Sequence, residues 1–237
     1  MSTYVLVHGA WHGAWCWDKV KPLLEEAGHK VVVFDLPGHG DDKTPTAEVT
    51  LAAYTDRVCD VLDAQSEPVI LVGHSMGGVV ITQAAEYRPE KIDTLVYLSA
   101  FLLRDGEFLL QVAGADAEAL VLRSLVMSAD ESCATVRDEA LRDAFYGDCS
   151  DEDVARAKSL LVAQAAAPLA TAVSTTEGRW GQVRRVYVSC LRDRAITPAC
   201  QESMYMASPC EKVLTLDTSH SPFLSVPEEL AGLLLSM

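Results

Sequence analysis

Six short runs of apolar, largely β-branched residues punctuate the chain: TYVLVHG, KVVVFDLPG, PVILVGHS, IDTLVYLSA, RRVYVSC and EKVLTLD. Each is nearly continuously apolar rather than alternating, the pattern of strands covered on both faces within a parallel sheet. Between them the hydrophobic spacing becomes helical, over Trp17–Gly28, Leu51–Gln65, Met76–Tyr87, Thr197–Met206 and Pro222–Leu235. This alternation predicts an α/β class: a doubly wound, mainly parallel sheet of about six strands. Sheets of this kind bind ligands just beyond the carboxyl ends of their strands.

One connection breaks the rhythm. From Phe101 to about Gly181 no parallel strand is recognisable, and helical patterns cover Ala117–Met127, Ser132–Phe145 and Asp151–Ala165. A stretch that long is too large for a loop. It is expected to be a helical cap, residues 101–181, inserted after the fourth strand into a core formed by 1–100 and 182–237. The phrase HGAW occurs twice, at His8–Trp11 and His12–Trp15, but no repeat of useful period follows it.

Composition narrows the setting. The 237 residues are 49% apolar and carry a formal net charge of −15. A field of that sign argues against nucleic acid or an anionic membrane as a partner. The opening MSTYVLVHG lacks a basic leader, and no window approaches a membrane-spanning apolar run. Seven cysteines are scattered without metal-ligand spacing, so free thiols and a cytoplasmic location are expected. His8 and His12 lie in a loop that does not align two ligands, and neither a metal nor another cofactor is expected.

The chemistry concentrates at Gly73-His74-Ser75-Met76-Gly77, a G-x-S-x-G sequence where strand PVILV meets a helical pattern. A sharp strand–turn–helix lifts the serine oxygen clear of the sheet, which makes Ser75 the candidate nucleophile. Serine needs a base. In this arrangement the order along the chain is serine, acid, histidine, and His220 alone follows Ser75. Asp193, just after RRVYVSC, is the preferred acid; Asp105 and Asp217 are rivals. Arg192 and Arg194 would favour an ionised Asp193 if they lie close to it. Acyl transfer also needs donors aimed at the oxyanion. The amide of Met76 is one, and the loop after the first strand, with Gly9 and a small Ala10, supplies the other. Trp11 is either pocket wall or packing, whereas Trp15 and Trp17 read as core. Gly9, Trp11, His74 and Phe101 are the candidate substrate contacts.

With these residues in place, the chain resembles the α/β-hydrolase superfamily over its whole length. It is most similar to the branch of plant methylesterases, hydroxynitrile lyases and bacterial esterases. VLVHGAWHGAWCW, VVVFDLPGHG, GHSMGG, YLSAF, RDRAITP and TSHSPFLSVPEEL carry the resemblance. It implies Ser75, Asp193 and His220 as triad, with the Ala10 and Met76 amides as oxyanion hole. Cyanogenic lyases of the branch have threonine in the first loop and lysine after the histidine, where this chain has Gly9 and Ser221. The expectation is therefore a serine carboxylesterase for neutral, apolar, small-to-medium esters. A lyase, lactonase, C–C hydrolase or non-catalytic receptor are the alternatives, and a homodimer is expected by analogy.

Overall fold

The computed structural model describes residues 1–237. In chain order its strands are β1 (Thr3–Val7), β2 (Lys30–Val33), β3 (Val69–His74), β4 (Ile92–Leu98), β5 (Leu125–Met127), β6 (Cys133–Val136), β7 (Gln164–Ala165), β8 (Arg184–Cys190) and β9 (Lys212–Leu216). The α-helices are α1 (Val20–Glu26), α2 (Leu51–Asp63), α3 (Gly77–Tyr87), α4 (Leu109–Ala115), α5 (Asp138–Phe145), α6 (Asp151–Leu160), α7 (Ala166–Ala170), α8 (Pro198–Ala207), α9 (Pro222–Ser225) and α10 (Pro227–Leu235).

Six strands form one parallel sheet in the order β2-β1-β3-β4-β8-β9. Every residue of β3 is buried, and only Asp93 in β4 is exposed, which accounts for their unbroken apolar runs. The chain leaves β1 towards β2 on one side and returns with β3 on the other. The loops after β1 and β3 therefore diverge, and a crevice opens at their carboxyl ends. That crevice receives the His8–Trp11 loop and Ser75.

The helix ends follow local chemistry. Thr50 caps α2 by accepting from the Ala53 amide at 3.0 Å, and Thr197 caps α8 with Pro198 in the first turn. The expected helix over Pro222–Leu235 is two helices, because Val226 precedes Pro227 and leaves the helical region at φ −140°. The first expected helix begins as a 3₁₀ turn at Ala14–Trp17 before α1.

Between β4 and β8 the structure departs further from expectation. Ala117–Met127 is not a helix: it contains a 3₁₀ turn at Leu122–Ser124 and then β5. Ser132–Phe145 divides into β6 and α5, and Asp151–Ala165 into α6 and β7. The three short strands make an antiparallel sheet in the order β5-β6-β7. Its strands have two to four residues, too short to compete with a helical period read over longer windows. No helix is long and apolar enough to cross a membrane.

Candidate active site

The turn after β3 holds Ser75 at φ 54°, in the left-handed region that side chains usually avoid. Such a conformation costs on the order of 1–3 kcal/mol and persists where the surroundings over-determine it. Here the Ser75 carbonyl accepts from the amides of Gly78 at 3.0 Å and Phe101 at 3.1 Å. The start of α3 also packs directly on the end of β1. A Cβ on Gly77 would lie 2.8 Å from the His8 carbonyl oxygen and 2.9 Å from that of Val7.

Facing Ser75 is the loop after β1. The backbone amides of Ala10 and Met76 make no hydrogen bond within the protein, and both residues line the same cavity as Ser75. Gly9 sits beneath the serine, where an added Cβ would come within 2.8 Å of the Ser75 Cβ. Trp11 has φ 63°, unusual for so bulky a residue. It is pinned by its indole Nε1–H, which donates to the Ala134 carbonyl of β6 at 2.9 Å. Its own carbonyl accepts from the Val162 amide at 3.0 Å.

His220 follows β9 and is 1% exposed; its Nδ1 donates to Asp193 Oδ2 at 2.6 Å. The carboxylate is held from several directions. Oδ1 accepts from the amides of Ala195 at 2.6 Å and Ile196 at 3.0 Å, while Ser99 Oγ–H donates to Oδ2 beside His220. Both rival acids lie elsewhere. Asp105 accepts from the Thr175 amide at 2.9 Å, and Asp217 is largely exposed and pairs with Arg192 at 3.0 Å. Arg192 and Arg194 are engaged away from Asp193, Arg192 with Asp217 and Arg194 with Asp143 at 3.6 Å. Backbone and hydroxyl donors stabilise the buried charge in place of cations.

No hydrogen bond joins the Ser75 hydroxyl to His220, a looseness common in unliganded sites. The segments of Ser75 and His220 are tied together by His74, the residue before Ser75. Its Nε2–H donates to the His220 carbonyl at 2.8 Å, and the two rings lie 4.5 Å apart. Burial, reinforced by His220 and His12, pushes His74 well below the ordinary histidine range. His74 is thus a neutral strut behind the site rather than a substrate contact.

The cavity in front of Ser75 is narrow, about 40 Å³, and has a lining of 16 residues, of which 15 are hydrophobic. Trp11 and Phe101 line it; Gly9 and His74 do not. Phe145, from α5, forms part of the wall and also packs against His220 with ring centroids 5.7 Å apart. Residues 130–153 hold nine acidic and two basic side chains, and none of the charged ones enters the cavity. Asp138, Asp151 and Asp153 instead pair with Lys158, Arg142 and Lys19.

The first-loop histidines are fully engaged. His8 donates from Nδ1 to the Gly9 carbonyl at 2.8 Å and accepts at Nε2 from the Leu36 amide at 3.1 Å. His12 donates from Nδ1 to the Ala10 carbonyl at 2.7 Å and accepts at Nε2 from the Tyr146 hydroxyl at 2.8 Å. They hold the loop in shape. Sequence reasoning missed Ser99, Gln201 and Asp148. Ser99 directly follows β4 at the sheet's carboxyl edge, a position that could have marked it. Gln201 donates to the Cys190 and Ile196 carbonyls, and Asp148 accepts from the Ser219 amide at 2.8 Å. These two brace the turns before Asp193 and His220, and nothing local in the sequence signals that contact.

Comparison with known proteins agrees with this architecture. Residues 4–233 match the alpha/beta hydrolase family. Methylesterase 9 of Arabidopsis thaliana is 33% identical, over 100% of this chain and 98% of its own length. Some plant relatives are longer, and the chain spans 63% of one of them. A pyrethroid hydrolase from Sphingobium wenxiniae is 34% identical over 98% of this chain and 85% of its own. The crystal structure of a methylesterase from Arabidopsis superposes with a TM-score of 0.88 at 27% identity, covering 100% of this chain and 98% of that one. The chain therefore belongs to the alpha/beta hydrolase family, in its branch of methylesterase-like carboxylic ester hydrolases.

Proposed function

We propose that this ester hydrolase works through Ser75 as nucleophile, His220 as general base and acid, and Asp193 as the carboxylate that orients His220. Its substrates are neutral, apolar, small-to-medium carboxylic esters. The observation that carries the reading is that Ser75 and two unpaired amides line one apolar cavity, while a buried Asp193–His220 pair is tied to the same elbow through His74. His220 takes the Ser75 proton as the oxygen attacks the ester carbonyl, and the Ala10 and Met76 amides hold the oxyanion. The same proton passes to the departing alkoxide, which leaves as the alcohol. Water, deprotonated by His220, then releases the acid and restores the serine. An apolar lining gives a charged acyl or alcohol group no partner, so neutrality of the substrate follows.

Against the lyase alternative stands Gly9. The backbone there leaves so little room over Ser75 that a threonine side chain would force the turn apart. Seven unpaired cysteines support a reducing, cytoplasmic setting. The test is turnover of a p-nitrophenyl ester by wild type and Ser75→Ala, beside product analysis on mandelonitrile and a lactone. Equal ester turnover by both proteins would end the proposal.

A further inference from the structure

The cavity wall is not uniform in its relation to His220. Phe101, Leu109, Leu110 and Leu122 line it, from the turn after β4, from α4 and from the segment after α4. Phe145, also in the lining, packs against the His220 ring, and Trp11 packs against Phe145 with ring centroids 5.7 Å apart. The leaving alcohol must lie against His220, because His220 supplies its proton. Among the lining residues, Phe145 and through it Trp11 are the ones packed towards the His220 ring, where the alcohol must leave.

We infer that Trp11 sets the size of the leaving alcohol. This rests on the esterase reading above and adds to it the residue that discriminates between esters. Two properties suit the indole to the task. It cannot swing away, since its Nε1–H is bound to Ala134, its carbonyl is bound by the Val162 amide, and its backbone is fixed at φ 63°. Its single polar atom is already used, so it recognises by shape alone. It also follows Ala10 directly, so an alcohol too large for the wall would press on the loop that carries the oxyanion donor. A bulky alcohol is then rejected in the transition state as well as on binding. The favoured class is methyl and other short-alkyl esters of larger apolar acids.

The experiment compares two ester series on wild type, Trp11→Ala and Trp11→Phe. One series keeps hexanoate and varies the alcohol from methyl through butyl to benzyl. The other keeps ethyl and varies the acid from acetate to octanoate. Wild type is expected to lose about tenfold or more in kcat/KM from methyl to butyl hexanoate. Trp11→Ala should raise the butyl-to-methyl ratio by about tenfold while changing the ratios within the acyl series by no more than about twofold. Trp11→Phe keeps an apolar ring, so it secures a folded protein if the alanine variant is insoluble, and it should give a smaller change of the same sign. An unchanged alcohol ratio in the soluble variants, or a change confined to the acyl series, overturns the inference while leaving the esterase reading intact. Failure of wild type on every ester in both series would instead remove the esterase reading.

Discussion

His8 Nδ1 donates to the carbonyl of Gly9 at 2.8 Å, and that carbonyl shares a peptide plane with the Ala10 amide. Because the peptide is planar, fixing the oxygen on one side aims the N–H on the other. The Leu36 amide occupies His8 Nε2 at 3.1 Å and so holds the proton on Nδ1. Burial keeps the ring neutral by lowering its proton affinity well below the usual range, and His39 adds to the effect. His8 is thus a positioning residue for an oxyanion donor that it never touches.

Replacing His8 should therefore weaken transition-state stabilisation more than substrate binding. Removal of a whole oxyanion donor costs on the order of 10²–10³ in kcat, and a misaimed one should cost less. For His8→Ala we expect kcat on an ester to fall about tenfold to a hundredfold, with KM changed only a few-fold. A variant with normal kcat and a raised KM would show that the ring serves binding instead.

The acid assignment can be tested against its rivals. Asp193→Asn places an amide NH₂ or oxygen where Ser99, Ala195, Ile196 and His220 all donate to a carboxylate. The histidine loses its orienting charge, and kcat should drop on the order of 10³–10⁴. Asp105→Asn and Asp217→Asn act at a backbone contact and an exposed ion pair, so activity should stay within about twofold. If either of these falls as far as Asp193→Asn, the acid has been misassigned.

The sequence was legible where a local pattern and a global role coincide. The β3–α3 elbow is such a place: continuous apolar residues, then a serine between two glycines, then a helical period. His220 was legible by order alone, as the sole histidine after Ser75. Asp193 was preferred for its place after β8, but the donors that hold it come from Ser99, Ala195 and Ile196, and a long-range bond such as Ser99 to Asp193 leaves no periodic mark. Arg192 and Arg194 flank Asp193 in sequence yet pair with Asp217 and Asp143, partners that sequence adjacency does not reveal. Between β4 and β8 the misreading was of period: β5, β6 and β7 are too short to declare alternation, and their pairing with one another is what makes them strands.

Glycines give a stability test of the elbow. At Gly77 a methyl group would meet the backbone oxygens of Val7 and His8 at under 3 Å, and neither can move without shifting β1. Gly77→Ala should destabilise by about 2 kcal/mol or more in urea unfolding. At Gly114, inside α4, an added Cβ meets nothing within 4 Å. Gly114→Ala should stabilise by about 0.5–1 kcal/mol through helix propensity and a less flexible unfolded chain. Equal effects at the two sites would mean that elbow packing is looser than these distances require.

The buried histidines predict how stability follows pH. His12 is completely buried, and desolvation, reinforced by His220 and His39, lowers its pKa to about 4 from an ordinary 6.5. Above pH 6.5 the ring is neutral in both folded and unfolded chains, and its contribution is constant. As pH falls below 6.5 the unfolded chain takes up a proton that folded His12 refuses until about pH 4. Unfolding is then favoured by protons, and stability declines across that window. His12 alone accounts for about 3 kcal/mol of the loss. His8, His74 and His39 are lowered as well and act with the same sign. Asp42, Asp63, Asp130 and Asp153 have lowered pKa values, so their losses come below the usual carboxylate range and leave the upper window to the histidines. Urea unfolding at pH 7 and pH 4.5 should show a drop of several kcal/mol, and His12→Gln should reduce the slope by up to about one proton. A stability that stays level between those two values would contradict the neutral, buried state of His12.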